Sequence, residues 1–128
     1  MNVQQTADGS PALAVALAYH SAWTSKNVDE ALQHVADGIV CDAPSGQLRG
    51  MDQYRPFLTN FVPIVKGYDM IAALGDADTA VLVYDLHTVP VSSGSLTCEC
   101  FTIRDGKITQ NRLIFDPTPY NAARQQSG

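Results

Sequence analysis

Four ionisable residues stand where the surrounding sequence is apolar enough to tune them. Asp42 closes the run Ile39-Val40-Cys41 shortly before Pro44. Partial burial there would raise its pKa toward a value useful to a general base that takes a proton beside a carbonyl. Its plainer role is to cap the Pro44 turn through backbone N–H groups. Glu99 alternates with Thr97 and Phe101 along a run of β-type residues. A glutamate in a central strand is hard to place without a function; the alternative is a solvated side chain opposite a lysine. His20 falls on the apolar arc of a helix, as a pocket group or as a core histidine bonded to a backbone carbonyl. His87 shares a strand face with Asp85 and Val89 and is the fourth candidate.

Around these lies a set of rings. Tyr19, Trp23, Tyr54, Phe57, Phe61 and Phe115, with Phe101 beside Glu99, could form the wall of an apolar pocket. The same residues equally suit a plain core, and only a cavity would make them a ligand site. Asn111 and Leu113 share the inward parity of the last strand, with Asn111 as a polar contact. Asp116 precedes Pro117 and fixes the chain exit. Cys41 has no cation beside it in sequence to make its thiol reactive. Cys41, Cys98 and Cys100 with His20, His34 and His87 show no metal-ligand spacing, so neither a metal nor a cofactor is expected.

The elements that must position these residues follow from periodicity. Thr79 to Val91 is a dense apolar and β-branched run, Ser92-Ser93-Gly94 a turn, and Leu96 to Arg104 a second strand. Asp105-Gly106 is a two-residue hairpin signal leading into Lys107 to Asp116, because both turn residues must tolerate positive φ. These three strands form an antiparallel meander on which the rest packs. Before them, Ser10-Pro11 reads as an N-cap followed by Pro at the first helical position, opening a helix to about Ser25. Ala16, His20, Leu13 and Leu17 share its arc, with Tyr19 and Trp23 at the edge. Asn27, with Glu30 as capping-box partner, opens a short helix stopping at Asp37-Gly38. Ile39 to Ala43 is a strand, Ser45 to Gly50 a loop, and Met51 to Val65 a helix that Pro56 and Pro63 kink or divide. Gly67 to Leu74 is a further strand, and Gly75 to Asp78 a turn.

With 128 residues the chain is a single domain. The expected layout is a tail over 1–10, one domain over 11–120 and a tail over 121–128. A net charge of −5 and eight scattered basic residues argue against nucleic acid, which needs clustered cations. No apolar run reaches the roughly 20 residues of a membrane span, and the polar N-terminus lacks the layout of a signal peptide. The cysteine count is odd, and Cys98 and Cys100, two apart on a strand, have poor disulfide geometry; a reducing cytoplasm is the simplest reading. In Val81 to Val89 both strand faces are apolar. One set is Val81, Val83, Asp85, His87 and Val89; the other is Leu82, Tyr84, Leu86 and Thr88. A sheet of this kind covers helices on one face and meets a second copy on the other, so a homodimer through the outer face is expected.

The order of elements gives an α+β fold with helices on one face of a mostly antiparallel sheet. Tyr19-His20-Ser21-Ala22-Trp23, then Asn27-Val28-Asp29-Glu30-Ala31-Leu32, then Asp42 and Pro44, resembles the NTF2-like superfamily. So does the ending Phe101-Thr102-Ile103-Arg104-Asp105-Gly106-Lys107-Ile108 with Arg112 and Phe115-Asp116. The resemblance runs from about Ala12 to Tyr120. It implies a cone, a strongly curved sheet wrapped around three helices of the N-terminal half, with a pocket at one end. That scaffold carries many chemistries. Similarity to its ketosteroid isomerases implies a base at Asp42, with Pro44 one residue late. It also implies a protonated acid of the oxyanion hole at Glu99, two residues before Phe101, in place of the usual Asp. Their helix tyrosine falls on His20, with Tyr19 adjacent. Limonene-epoxide hydrolases compare poorly: their Arg-x-Asp falls on His87-Thr88-Val89 and their last-strand Asp on Leu113. For a proton-moving pair of the SnoaL-like cyclase kind, His87 and Asp116 are nearest.

Two functions follow as expectations. One is cofactor-independent proton transfer on a small hydrophobic carbonyl compound, with Asp42 as base, Glu99 or His20 as oxyanion donor and His87 assisting. The other is a non-catalytic module that binds a ligand or a protein. Convergence of two of the four groups on one point separates them.

Overall fold

The computed structural model of the chain describes residues 10–89 and 95–127, with side chains described as far as residue 122. The expected tail before Ser10 and the Ser92-Ser93-Gly94 turn lie outside the described residues. Helix α1 spans Pro11–Thr24, with Ser10 as the expected N-cap: its hydroxyl accepts from the Leu13 N–H at 2.9 Å. Such a cap is worth about 1 kcal/mol. The same hydroxyl donates to the Asp76 carbonyl at 2.6 Å, tying the start of α1 to the β3–β4 turn. Helix α2, Val28–Leu32, is capped by Asn27, whose Oδ1 accepts from the Glu30 N–H at 3.1 Å while its amide donates to the Glu30 carboxylate.

Strand β1 spans Val35–Ala43, so α2 ends earlier than the sequence suggests and Asp37-Gly38 is no helix stop. The reason is pairing. The Ile108 N–H donates to the His34 carbonyl, and Val35 faces Ile108 in the sheet. Gly38 sits where the register against β6 shifts, between Val35 and Val40. The stretch expected as a loop after Ser45 contains β2, Gly46–Arg49, which folds back on β1 with Ala43 opposite Gly46. Helix α3 covers Met51–Phe61 and contains Pro56; Pro63 lies in a 3₁₀ turn, Val62–Ile64, that ends it. Pro56 thus lies within one continuous helix and does not divide it, whereas Pro63, which cannot donate to the preceding turn, falls where the α-helix gives way to the 3₁₀ turn.

Strands β3 (Val65–Gly75), β4 (Thr79–Thr88), β5 (Ser95–Arg104) and β6 (Lys107–Ile114) form an antiparallel meander. Asp105 and Gly106 hold φ of 53° and 75°, the left-handed pair the hairpin needs. The strand order β2-β1-β6-β5-β4-β3 contains one parallel pair, β1 with β6. Helix α1 lies against β3, β4, β5 and β6, and α3 against β1 and β2. The result is the α+β NTF2-like cone, its concave face filled by the helices. A fourth helix, α4, spans Thr118–Ser127, where only a tail was expected from residue 121. Asp116 Oδ1 accepts the Thr118 N–H at 2.9 Å and so fixes the chain exit. No helix among the described residues is long and apolar enough to cross a membrane.

Candidate functional site

The concave face encloses a cavity of about 410 Å³ that deepens from an exposed rim to a buried floor. Ser45, Asn60 and Asn121 stand at the rim, and Phe57, Phe61, Ile64, Leu113, Phe115, Pro117 and Tyr120 form half-buried walls. Tyr19, Trp23, Leu58, Tyr84, Leu86, Thr97 and Glu99 are the buried floor. The parity of β4 and β5 explains the floor. Tyr84 pairs with Thr97 and Leu82 with Glu99, and all four sit on the concave side. Packing of rings makes the wall continuous: Phe57 stacks on Phe61 with centroids 6.2 Å apart, and Trp23 lies 6.3 Å from both Phe61 and Tyr84.

Glu99 is the sole carboxylic acid among the described lining residues, and it is 4% exposed. Tyr84 donates its hydroxyl to Oε2 at 2.8 Å, and Asn111 Nδ2 donates to Oε1 at 3.1 Å. Burial raises the Glu99 pKa, outweighing these two hydrogen bonds, which act to lower it. Asn111 also reaches the Tyr54 hydroxyl at 3.3 Å, and Tyr54 shares a short hydrogen bond with Tyr19. A chain of polar groups therefore runs Tyr84–Glu99–Asn111–Tyr54–Tyr19 through an otherwise apolar core. Burial holds the hydroxyls of Tyr19, Tyr54 and Tyr84 well above the usual phenol range, so all three stay neutral donors. A polarised carboxyl ringed by neutral phenols can hold or give a proton to a ligand oxygen or carbon.

The other expected acid–base groups lie elsewhere. His20 is buried but does not line the cavity. Its ring packs edge-on against Tyr68, Tyr84 and Trp23, with centroids 4.5, 4.7 and 5.0 Å away. Neither ring nitrogen has a hydrogen-bond partner among the described residues, and burial lowers its pKa to about 4. The neighbour Tyr19 faces the cavity in its stead. His87 stands on the exposed outer face, where Nε2 meets Asp69 Oδ2 at 2.9 Å. Asp42 has the opposite parity to buried Cys41 and accepts from Gln47 Nε2 at 2.7 Å across the β1–β2 hairpin. The structure thus brings Glu99 alone of the four to the cavity. Asp116 lies beyond it, at the start of α4.

Of the expected ligand contacts, Tyr19, Trp23, Phe57, Phe61, Leu113 and Phe115 line the cavity. Tyr54, Phe101 and Asn111 stand behind its floor, Phe101 edge-on to Tyr19 at 5.8 Å. Sequence reasoning missed Tyr84, Leu86 and Thr97, although the alternation of β4 sets Tyr84 and Leu86 apart from His87. It also missed Tyr120, the last residue of the expected domain, and Asn121, the first residue of a stretch read as tail. Cys41 is buried, and its thiol is pushed up to about 12 by burial and by Glu99, which makes it inert. Among the described residues no group of three His, Cys, Asp or Glu could hold a metal ion.

An apolar, helix-filled cone with one buried acid at its floor defines an NTF2-like pocket protein. Residues 16–111 match the SnoaL-like domain, and the chain belongs to that family. A crystal structure from Kribbella flavida DSM 17836 is similar at 49% identity and a TM-score of 0.86, covering 91% of this chain and 95% of that one. An NTF2-like protein of unknown function from Cytophaga hutchinsonii ATCC 33406 shares the fold at 19% identity and a TM-score of 0.73, covering 84% and 91%. So does an M. tuberculosis LEH-like epoxide hydrolase, at 19% identity and a TM-score of 0.71, covering 88% and 87%. No curated protein matches the sequence.

Proposed function

We propose that this chain binds a small hydrophobic carbonyl compound and moves a proton on it without a cofactor, with Glu99 as the proton carrier. The observation that carries the reading is a buried carboxyl facing an aromatic cavity, fixed by Tyr84 and Asn111. Burial raises its pKa above the ordinary carboxylate value, the direction that suits a group that both gives and takes a proton. Tyr19, on the same floor and bonded to Tyr54, supplies a neutral donor for the oxygen of an enolate. Asp42, His20 and His87 have no part in this arrangement, since none lines the cavity.

An epoxide hydrolase, the activity named for the M. tuberculosis neighbour, finds less support. Leu113 lines the cavity where that chemistry needs a carboxylate, and His87 faces outward. The isolation of Glu99 favours a second reading, a cavity that binds its ligand without turnover. We also propose that the outer sheet face pairs two copies, because Leu74, Leu96 and Ile114 are exposed there beside Val81, Val83 and Cys98. Three free thiols suit a reducing compartment such as the cytoplasm.

Phenols mimic an enolate and test the reading directly. A thermal-shift series of phenols of rising acidity should stabilise the wild type progressively, and Glu99→Gln should flatten that trend. A series in which no phenol moves the midpoint removes the proton-transfer reading.

A further inference from the structure

We infer that the cavity is selective for small hydrophobic amines, with the ammonium group seated against Glu99 and the apolar body against the rings. The first observation is the lining. Among the described residues no Lys, Arg or His faces the cavity, while seven aromatic rings do: those of Tyr19, Trp23, Phe57, Phe61, Tyr84, Phe115 and Tyr120. A cation over aromatic faces gains up to about 2 kcal/mol when desolvated, and an anion there gains nothing.

The second observation is that Glu99 has no counter-charge. The titratable groups that act on it electrostatically are themselves acids: Tyr19 from α1, Tyr54 from α3, Tyr84 from β4, Cys41 from β1 and Cys98 from β5. Those groups are held neutral by burial, so the fold offers the carboxylate dipoles and no cation. Buried carboxylates are ordinarily paired. The one open side of Glu99 is the cavity, and a positive ligand completes the pair there. Such pairing is strong where water is excluded.

The third observation is spacing of function along the cavity. The charge sits on the floor and the rim is neutral and polar, with Ser45, Asn60 and Asn121. An amine therefore enters head first, past half-buried rings, and its apolar body fills the aromatic wall. A carboxylate or phosphate finds no cation among the described lining residues and so gains no ion pair at the floor. The inference stands apart from the proton-transfer reading, because it concerns charge selectivity and needs no turnover.

Three isosteric probes decide it: 3-phenylpropylamine, 3-phenylpropanol and 3-phenylpropionate. Trp23, the single tryptophan of the chain, lines the cavity and reports binding by fluorescence. The amine should bind the wild type about tenfold or more tighter than the alcohol, and the acid more weakly than the alcohol. Glu99→Gln should bring amine and alcohol to within about twofold of each other. Equal binding of amine and alcohol by the wild type overturns the inference, as does acid binding that matches the amine or no amine binding at millimolar concentration. A Glu99→Gln chain that keeps the amine preference overturns it too. The wild-type comparison needs no variant, so a Glu99→Gln chain that fails to fold leaves the test intact. Failure of the amine series leaves proton transfer on neutral ketones standing, and the converse also holds.

Discussion

His20 sets a stability profile that can be worked from its surroundings. In the unfolded chain an imidazole titrates near 6.5; within the ring of Trp23, Tyr68 and Tyr84 burial lowers it to about 4. Between those values the unfolded chain binds the proton and the folded chain does not. The contribution is therefore fully present above pH 6.5 and is lost as pH falls toward 4. At about 1.4 kcal/mol for each tenfold, the whole window amounts to about 3 kcal/mol. Glu99 acts with the opposite sign. Its carboxyl keeps its proton to a higher pH in the fold, so its contribution is present in acid and lost as pH rises through the folded value. The two windows overlap, and the wild-type profile alone mixes them.

The variant His20→Phe separates them, because phenylalanine keeps the edge-on ring contacts and cannot take up the proton. Urea unfolding of both chains at a series of pH values gives the difference directly. Above pH 6.5 the variant should match or exceed the wild type, since two unpartnered buried nitrogens are removed. Below it the gap should widen in favour of the variant, toward about 3 kcal/mol at the acid end. A difference that stays constant across the window would refute a neutral, desolvated His20.

Three further perturbations follow from the packing. A Cβ at Gly75 would lie 2.5 Å from Ser10 Oγ and 2.9 Å from Leu13 Cβ, so Gly75→Ala should cost about 1–3 kcal/mol in thermal unfolding. An unchanged midpoint would mean that α1 does not seat against the β3–β4 turn as described. The double change Leu96→Asp with Ile114→Asp places charge on the outer face; light scattering should show a dimer turning into a monomer, and a wild-type monomer would remove the proposed pairing. Asp42→Asn should leave ligand affinity unchanged, because Asp42 bonds Gln47 outside the cavity. A clear loss of affinity would return Asp42 to the site.

Local signals carried most of the fold. The Asp105-Gly106 hairpin, the Ser10 and Asn27 caps and the strand alternation each depend on a few adjacent residues, and each stands in the structure. Where long-range pairing decides, local reading fails. Gly38 resembles a helix stop, but Val35 pairs with Ile108 far along the chain and extends β1 across it. The candidate site divides along the same line. Glu99 was legible because its concave parity with Thr97 and Phe101 left it no solvent. His87 is a candidate by residue type, but its alternation with Tyr84 and Leu86 sets it on the outer face, away from the cavity. The choice between Tyr19 and His20 needed the rotation of α1 against β4, which neighbouring residues on one helix do not fix. Tyr120 reaches the cavity only because α4 folds back after Asp116.

The central claim is that Glu99 moves protons on a ligand in this cavity. Its most direct measurement is solvent deuterium uptake at the α-carbon of hydrophobic ketones, followed by proton NMR for the wild type and Glu99→Gln. The account predicts saturable exchange by the wild type and a loss of about 10²–10⁴-fold in the variant, the usual contribution of a positioned acid–base group. Exchange no faster than in buffer, or equal in both chains, would contradict it and leave the cavity as a binding site.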